Sequence, residues 1–165
     1  MTDTRYLGAM TMGVNDSLVE VTAAIAGLTI ALQNARLVAL AALITGLAGS
    51  LSMAASEYLE KETEEVFDKN VKSPAGASIR TGLLYFGIAM ALIIPFLLLQ
   101  SYVAALTCTL AIAFTIVVGF TIYITKPEDR YFWKEFPKRI TLSFGIAAIA
   151  FLLAYGLRLV LGVSM

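Results

Sequence analysis

The sequence predicts an all-α integral membrane protein whose chain crosses the bilayer five times. Hydrophobic residues make up 59% of its 165 residues, charged residues make up only 15%, and the mean hydropathy is +0.82. A soluble domain is usually about 45–50% apolar and about 25% charged, so this composition is typical of a membrane protein. Apolar residues run continuously along the chain instead of alternating, which disfavours a transmembrane β-barrel.

Five apolar stretches are long enough to be transmembrane helices, since a helix needs about 20 residues to cross a hydrocarbon core of about 30 Å. The short connections QNAR (33–36) and QSY (100–102) predict hairpins of the first and second spans and of the third and fourth. Two longer polar segments, 60–80 and 126–139, are expected to be loops. The predicted spans of this single membrane domain are about 14–32, 37–59, 81–99, 103–125 and 140–161.

The distribution of basic residues predicts the orientation of the chain. Of its 12 lysines and arginines, all but Arg36 and Arg158 lie on the N-terminal side or in the two long polar segments. Because basic residues favour cytoplasmic loops, we expect the N-terminus to be cytoplasmic and the C-terminus to lie outside. The net charge is zero, so there is no basic excess to bind nucleic acid.

Four residues inside the first two spans form the candidate functional site. Asp16 and Glu20 are four residues apart, so they share one face of the first helix, and Met53 and Glu57 are related in the same way on the second. The two helices run antiparallel, which places all four side chains at a similar depth in the inner part of the bilayer. Ionisable residues in spans usually face the bundle interior and mark a path for ions or substrates.

Other interpretations of these polar residues are open from the sequence alone. Asn15 or Asp16 could cap the first helix, and Glu57 could reach water at the membrane interface, although Glu20 lies a turn too deep for this. The acidic residues that follow, within 60–80, could form a cytosolic vestibule that concentrates cations. They could equally belong to a solvated extension of the second helix, stabilised by pairs of opposite charge four residues apart.

The side-chain chemistry of the four residues indicates a divalent metal ion. Carboxylates are hard oxygen donors and the Met53 thioether is soft, a combination that suits a borderline ion such as Fe²⁺ or Mn²⁺. Zinc usually recruits histidine or cysteine, and the chain has no histidine. Metal binding displaces protons from its ligands, so exchange of metal for protons is expected. The sequence does not distinguish iron from manganese or cobalt. It also leaves open whether Glu20 and Glu57 bind the metal or a proton.

The second span also has a small residue at every fourth position. Such rows allow helix backbones to approach closely in lipid. They predict a tight helix interface, either within one chain or between two copies. The row consists of Ala42, Gly46, Ser50 and Ala54.

The segments GVNDSLVEVTAAIAGLT (13–29) and ITGLAGSLSMAASEYLEKE (44–62) resemble the vacuolar iron transporter family, in particular its bacterial and archaeal branch. The resemblance implies five membrane helices with a cytoplasmic N-terminus, and a dimer that exchanges Fe²⁺ or Mn²⁺ for protons. It also implies that Asp16 and Met53 line the translocation path. The 60–80 segment is too short to hold the cytosolic metal-binding insert of the plant and yeast-like members.

The residues predict a transporter of divalent metal, and the resemblance implies that it moves the metal out of the cytoplasm across the plasma membrane. Its partners would be divalent metal cations as substrate, protons, the lipid bilayer and a second copy of the chain. No permanently bound cofactor is expected, and no convincing nucleophile–base pair indicates an enzyme. The alternative from another class is a non-transporting assembly subunit, whose intramembrane carboxylates pair with a partner's lysine or arginine.

Overall fold

The computed structural model describes residues 7–67, 73–125 and 130–161, and these residues form five α-helices. All five are long and apolar enough to cross a membrane, which confirms the predicted all-α class. The orientation of the termini stays a prediction. The helices are α1 (Leu7–Leu32), α2 (Ala35–Phe67), α3 (Pro74–Leu98), α4 (Tyr102–Ile124) and α5 (Arg130–Leu161).

Helix α1 lies at the centre of the bundle and contacts each of the other four helices. Its residues Val14, Leu18, Val21 and Ile25 recur at intervals of three or four and are almost completely buried. The outer faces of the surrounding helices carry many exposed large hydrophobic side chains. This pattern is expected for helices whose outer faces meet hydrocarbon instead of water, so burial inside the protein is concentrated around α1.

The small residues of α2 pack against α3, which confirms the predicted helix interface and places it within one chain. A Cβ atom added to Gly82 of α3 would lie 2.9 Å from the Cβ of Ala54 and 3.2 Å from the carbonyl oxygen of Ser50. A Cβ added to Gly46 would lie 3.1 Å from the Cβ of Ala89. The two backbones therefore approach so closely that larger side chains would separate them.

The turn between α1 and α2 lies where the QNAR connection predicted it. Gln33 follows the last residue of α1 in a left-handed conformation with φ 46°, a common way to end a helix. The side-chain oxygen of Asn34 then accepts hydrogen bonds from the backbone N–H groups of Arg36 (3.0 Å) and Leu37 (3.2 Å). Asn34 thereby satisfies two of the free donors at the start of α2.

The polar segments differ from their expected bounds because they are largely helical. Helix α2 continues to Phe67 and α3 begins at Pro74, so little of the segment 60–80 is a loop, and α5 begins at Arg130. Hydropathy marks the length that lies in the membrane, whereas glutamate and lysine are good helix formers and continue the helix beyond it. The Nζ of Lys61 donates to Oε2 of Glu64 at 2.9 Å, which favours the interpretation as a helical extension.

Asn15 does not cap α1, because the helix begins at Leu7 and Asn15 and Asp16 lie more than two turns inside it. The Asn15 side chain instead accepts a hydrogen bond of 2.6 Å from Nη1 of Arg139 in α5. The guanidinium carbon of Arg139 also lies 5.6 Å from the ring centroid of Phe120 in α4. This contact joins three helices on a side of α1 away from Asp16.

Candidate metal-binding cleft

A cleft of about 200 Å³ opens between α1, α2 and α3. Helix α1 contributes its two carboxylates, which lie one turn apart. Helix α2 contributes four residues with the spacing of a single helix face, and α3 contributes one tyrosine. The lining residues are Asp16, Glu20, Gly49, Ser52, Met53, Ser56 and Tyr85.

The cleft lies well inside the length of chain that would cross a membrane. Glu20 precedes the last residue of α1 by 12 positions, or about 18 Å along the helix axis, within a hydrocarbon core of about 30 Å. Asp16 and Glu20 are nevertheless exposed at the surface of the single chain. Two carboxylates at this depth are costly unless water, a cation or another protein surface compensates their charge.

Tyr85 of α3 holds one of the carboxylates in place. Its side chain is only 1% exposed, and its hydroxyl donates a hydrogen bond of 2.6 Å to Oε2 of Glu20. Gly49 makes this approach possible, because a Cβ atom there would overlap the tyrosine hydroxyl and lie 2.7 Å from Cζ. Tyr85 was not among the predicted site residues. The available signal was a single tyrosine within the apolar third span, since a buried tyrosine hydroxyl usually has a partner.

The donors of the cleft suit a divalent ion that binds and then leaves. Carboxylate and hydroxyl oxygens of Asp16, Glu20, Ser52 and Ser56 stand beside the softer sulfur of Met53. Within the described ranges, no three histidine, cysteine, aspartate or glutamate side chains are close enough to hold a metal together. Affinity for a cation rises with the number of charged ligands, so two carboxylates with neutral donors would bind a divalent ion weakly enough to release it.

Glu57 stands apart from the other predicted site residues. It does not line the cleft, and only 4% of its surface is exposed, so it does not reach water at the interface as the alternative expected. Its Oε1 atom is buried, and none of the described residues forms a hydrogen bond with it. The structure therefore brings Asp16, Glu20 and Met53 together and leaves Glu57 outside their cleft.

Comparison with known proteins relates the cleft to a family. The model of the VIT family matches residues 7–72, which include α1, α2 and the chain that follows α2. The match thus covers all the residues that line the cleft except Tyr85. No curated protein gives a significant match to the chain. VIT proteins are membrane transporters, so the match supports metal-ion transport in general. The match covers the first two helices, less than half of the chain, and supports membership of the vacuolar iron transporter family.

Proposed function

We propose that this protein exports a divalent metal ion, Fe²⁺ or Mn²⁺, from the cytoplasm across the plasma membrane in exchange for protons. The observation that carries the proposal is the convergence of Asp16, Glu20 and Met53 on one cleft at a depth where carboxylates need compensation. The direction of transport and the plasma membrane rest on the family resemblance.

The donor set favours Fe²⁺ and Mn²⁺ over the more abundant hard cations. Mg²⁺ requires nearly octahedral oxygen ligands and loses its water reluctantly, and Ca²⁺ takes six to eight oxygen ligands. The thioether of Met53 is a poor ligand for either ion. An ion that accepts both oxygen and sulfur therefore gains most from this cleft. Met53 contributes selectivity in this scheme, while Asp16 and Glu20 contribute the charge.

Proton exchange follows from the charge of the empty cleft. Neither Asp16 nor Glu20 forms an ion pair in the part of the chain that the structure describes. In hydrocarbon, two unpaired carboxylates one turn apart are stabilised by protons when the cleft is empty and by the metal when it is occupied. Each cation thereby displaces the other, which couples metal movement to proton movement in the opposite direction.

A second copy of the chain would complete the path. The family resemblance implies a dimer, and Asp16 and Glu20 are exposed at the surface of the single chain. A second copy that covered the cleft around a two-fold axis would remove both carboxylates from lipid. The assembly-subunit alternative would instead cover the same carboxylates with a partner that carries intramembrane lysine or arginine.

Transport by purified protein in liposomes tests this proposal. The lumen holds one dye that responds to Fe²⁺ or Mn²⁺ and another that responds to pH, and a proton gradient is imposed in each direction. We expect wild type to move metal and protons in opposite directions, and Asp16→Asn and Met53→Leu to lose at least tenfold in rate. Met90→Leu and Glu62→Gln make the same chemical changes outside the cleft and should transport like wild type.

Two outcomes would overturn the proposal. If wild type moves no metal under either gradient and copurifies with a basic membrane subunit, the carboxylates serve assembly instead. If metal moves at the same rate with and without a proton gradient, and the lumenal pH does not change, the exchange mechanism is wrong.

A further inference from the structure

Two serine hydroxyls in the cleft have no hydrogen-bond partner among the described residues. Ser52 and Ser56 of α2 both line the cleft, are exposed and lie one turn apart. Serine and threonine inside helices commonly donate to a backbone carbonyl of the preceding turn. Thr45 and Ser50 of the same helix do so, at 3.0 Å and 2.8 Å. The hydroxyls of Ser52 and Ser56 are therefore available to whatever enters the cleft.

Three other side chains of the cleft would contact a metal ion directly. Tyr85 donates to Oε2 of Glu20 and leaves Oε1 of this carboxylate for the ion. Asp16 adds a second carboxylate, and Met53 adds a thioether. Divalent ions such as Mn²⁺ usually have about six ligands. The three side chains would thus fill about half of the positions around the ion, and other donors must fill the rest.

The size of the cleft indicates that water fills the remaining positions. Its volume is about 200 Å³, whereas one water molecule accounts for about 30 Å³ and a bare divalent ion is smaller than a water molecule. An ion without water would leave most of this space empty, but about three water molecules fit beside it. Retaining them also lowers the cost of bringing a divalent charge to this depth, because the ion loses less of its hydration.

We propose that the cleft takes up a partly hydrated divalent ion, and that Ser52 and Ser56 hold its retained water by hydrogen bonds. Water bound to a cation is a hydrogen-bond donor, and a serine hydroxyl has lone pairs that accept from it. A hydrogen bond through ordered water is nearly as favourable in enthalpy as a direct one. Met53 still replaces one water by sulfur and so keeps its contribution to selectivity. The inference rests on the proposed function, because it requires that a metal ion binds in the cleft.

Mn²⁺ bound to the full chain in detergent tests this inference. Electron paramagnetic resonance of the free ion gives the affinity, and deuterium modulation of the spin echo in D₂O counts the water molecules on the bound ion. We expect about three in wild type. Ser52→Ala and Ser56→Ala should each weaken binding about three- to tenfold, as for the loss of one hydrogen bond, with an unchanged water count. Ser50→Ala is the matched control, because the Ser50 hydroxyl donates to the backbone and does not line the cleft.

Circular dichroism and a monodisperse elution peak confirm that each variant is folded. The inference is overturned if bound Mn²⁺ holds no water, or if all three alanine variants bind it equally. It is also overturned if the water count rises by one in Ser52→Ala or Ser56→Ala, because the lost hydroxyl would then have been a direct ligand. These results would leave the proposed function intact, whereas a wild type that binds no Mn²⁺ would refute both.

Discussion

Removing the hydroxyl of Tyr85 should weaken metal binding in the cleft by about tenfold without unfolding the bundle. The hydroxyl donates a hydrogen bond of 2.6 Å to Oε2 of Glu20, so it fixes the orientation of a carboxylate that faces the cleft. Tyr85→Phe keeps the ring and its packing and deletes only this donor. Glu20 would then occupy several rotamers and lose entropy when a metal ion binds.

The expected size of the effect follows from the strength of this bond. A hydrogen bond to a charged group contributes about 1.5–3 kcal/mol, and loss of a group that orients a metal ligand typically costs 10–100-fold in affinity. Glu20 is exposed, so water replaces part of the lost interaction. We therefore expect the lower end of the range, a loss of about 1.4 kcal/mol or tenfold in Kd.

Titration with Mn²⁺, followed by the electron paramagnetic resonance of the free ion, measures this affinity directly. Gly49→Ala supplies an independent route to the same change, because its Cβ would lie 2.7 Å from Cζ of Tyr85 and displace the ring. This variant should also lower the free energy of unfolding by about 1–3 kcal/mol through overpacking. Tyr155→Phe removes an exposed hydroxyl on α5 and is the control.

Equal Mn²⁺ affinity in Tyr85→Phe and Tyr155→Phe would refute the reasoning, because the hydrogen bond to Glu20 would then have no effect on the ion. If Gly49→Ala alone lost affinity, the shape of the cleft would matter and the orientation of Glu20 would not. A loss confined to the maximal transport rate, with unchanged Kd, would also contradict the positioning role.

Three further predictions concern the packing of α2 against α3 and polar side chains outside the cleft. Gly82→Ala should lower the free energy of unfolding by about 1–3 kcal/mol, because its Cβ would lie 2.9 Å from an α2 side chain. The control Gly87→Ala meets no such contact and should raise the free energy of unfolding by up to about 1 kcal/mol. Equal shifts in thermal unfolding would contradict the close packing of α2 against α3. Glu57→Gln should keep or raise the melting temperature and leave Mn²⁺ affinity unchanged, since the buried carboxyl lies outside the cleft and one of its oxygens has no hydrogen-bond partner among the described residues. A tenfold loss of affinity would show that Glu57 reaches the metal. A double-mutant cycle of Arg139→Met and Asn15→Ala should give a coupling of about 1.5–3 kcal/mol in unfolding free energy, and additive effects would mean that their hydrogen bond contributes nothing.

Hydropathy predicted the five helices because the membrane imposes a length of about 20 apolar residues on each. It did not predict where α2 ends, since the residues from Glu60 to Glu65 are polar but still favour a helix, which continues to Phe67. The row of small residues around Ser50 predicted a close interface, and its partner α3 could not be named because any helix with small residues would fit. Composition thus determines the number of helices more firmly than their bounds or neighbours.

Periodicity explains why the sequence grouped Glu57 with Met53, although Glu57 is not among the residues that line the cleft. Four residues advance a helix by about 400°, so the two side chains differ by about 40° around α2. This rotation around the helix axis is small, but it is enough to move the Glu57 side chain out of the cleft. Ser50 and Glu57 are seven residues apart and both are buried, so Glu57 continues the face of the small-residue row. The position of α3 determines whether a residue of α2 lies on the face that lines the cleft or on the face of the small-residue row.

Sequence periodicity could not identify the side chains that bind polar residues of α1, because each comes from a helix that is distant along the chain. These partners determine which carboxylate of α1 can move. Tyr85 lies 65 positions from Glu20 and binds its carboxylate, and Arg139 lies 124 positions from Asn15 and binds its amide. Asp16 is exposed in the cleft beside Glu20, and no hydrogen bond to its carboxylate is found among the described residues. In the proposed function, Asp16 is therefore the carboxylate that can change partners, whereas Glu20 keeps the orientation set by Tyr85. Asp16→Asn thus tests transport most directly, and Tyr85→Phe tests affinity.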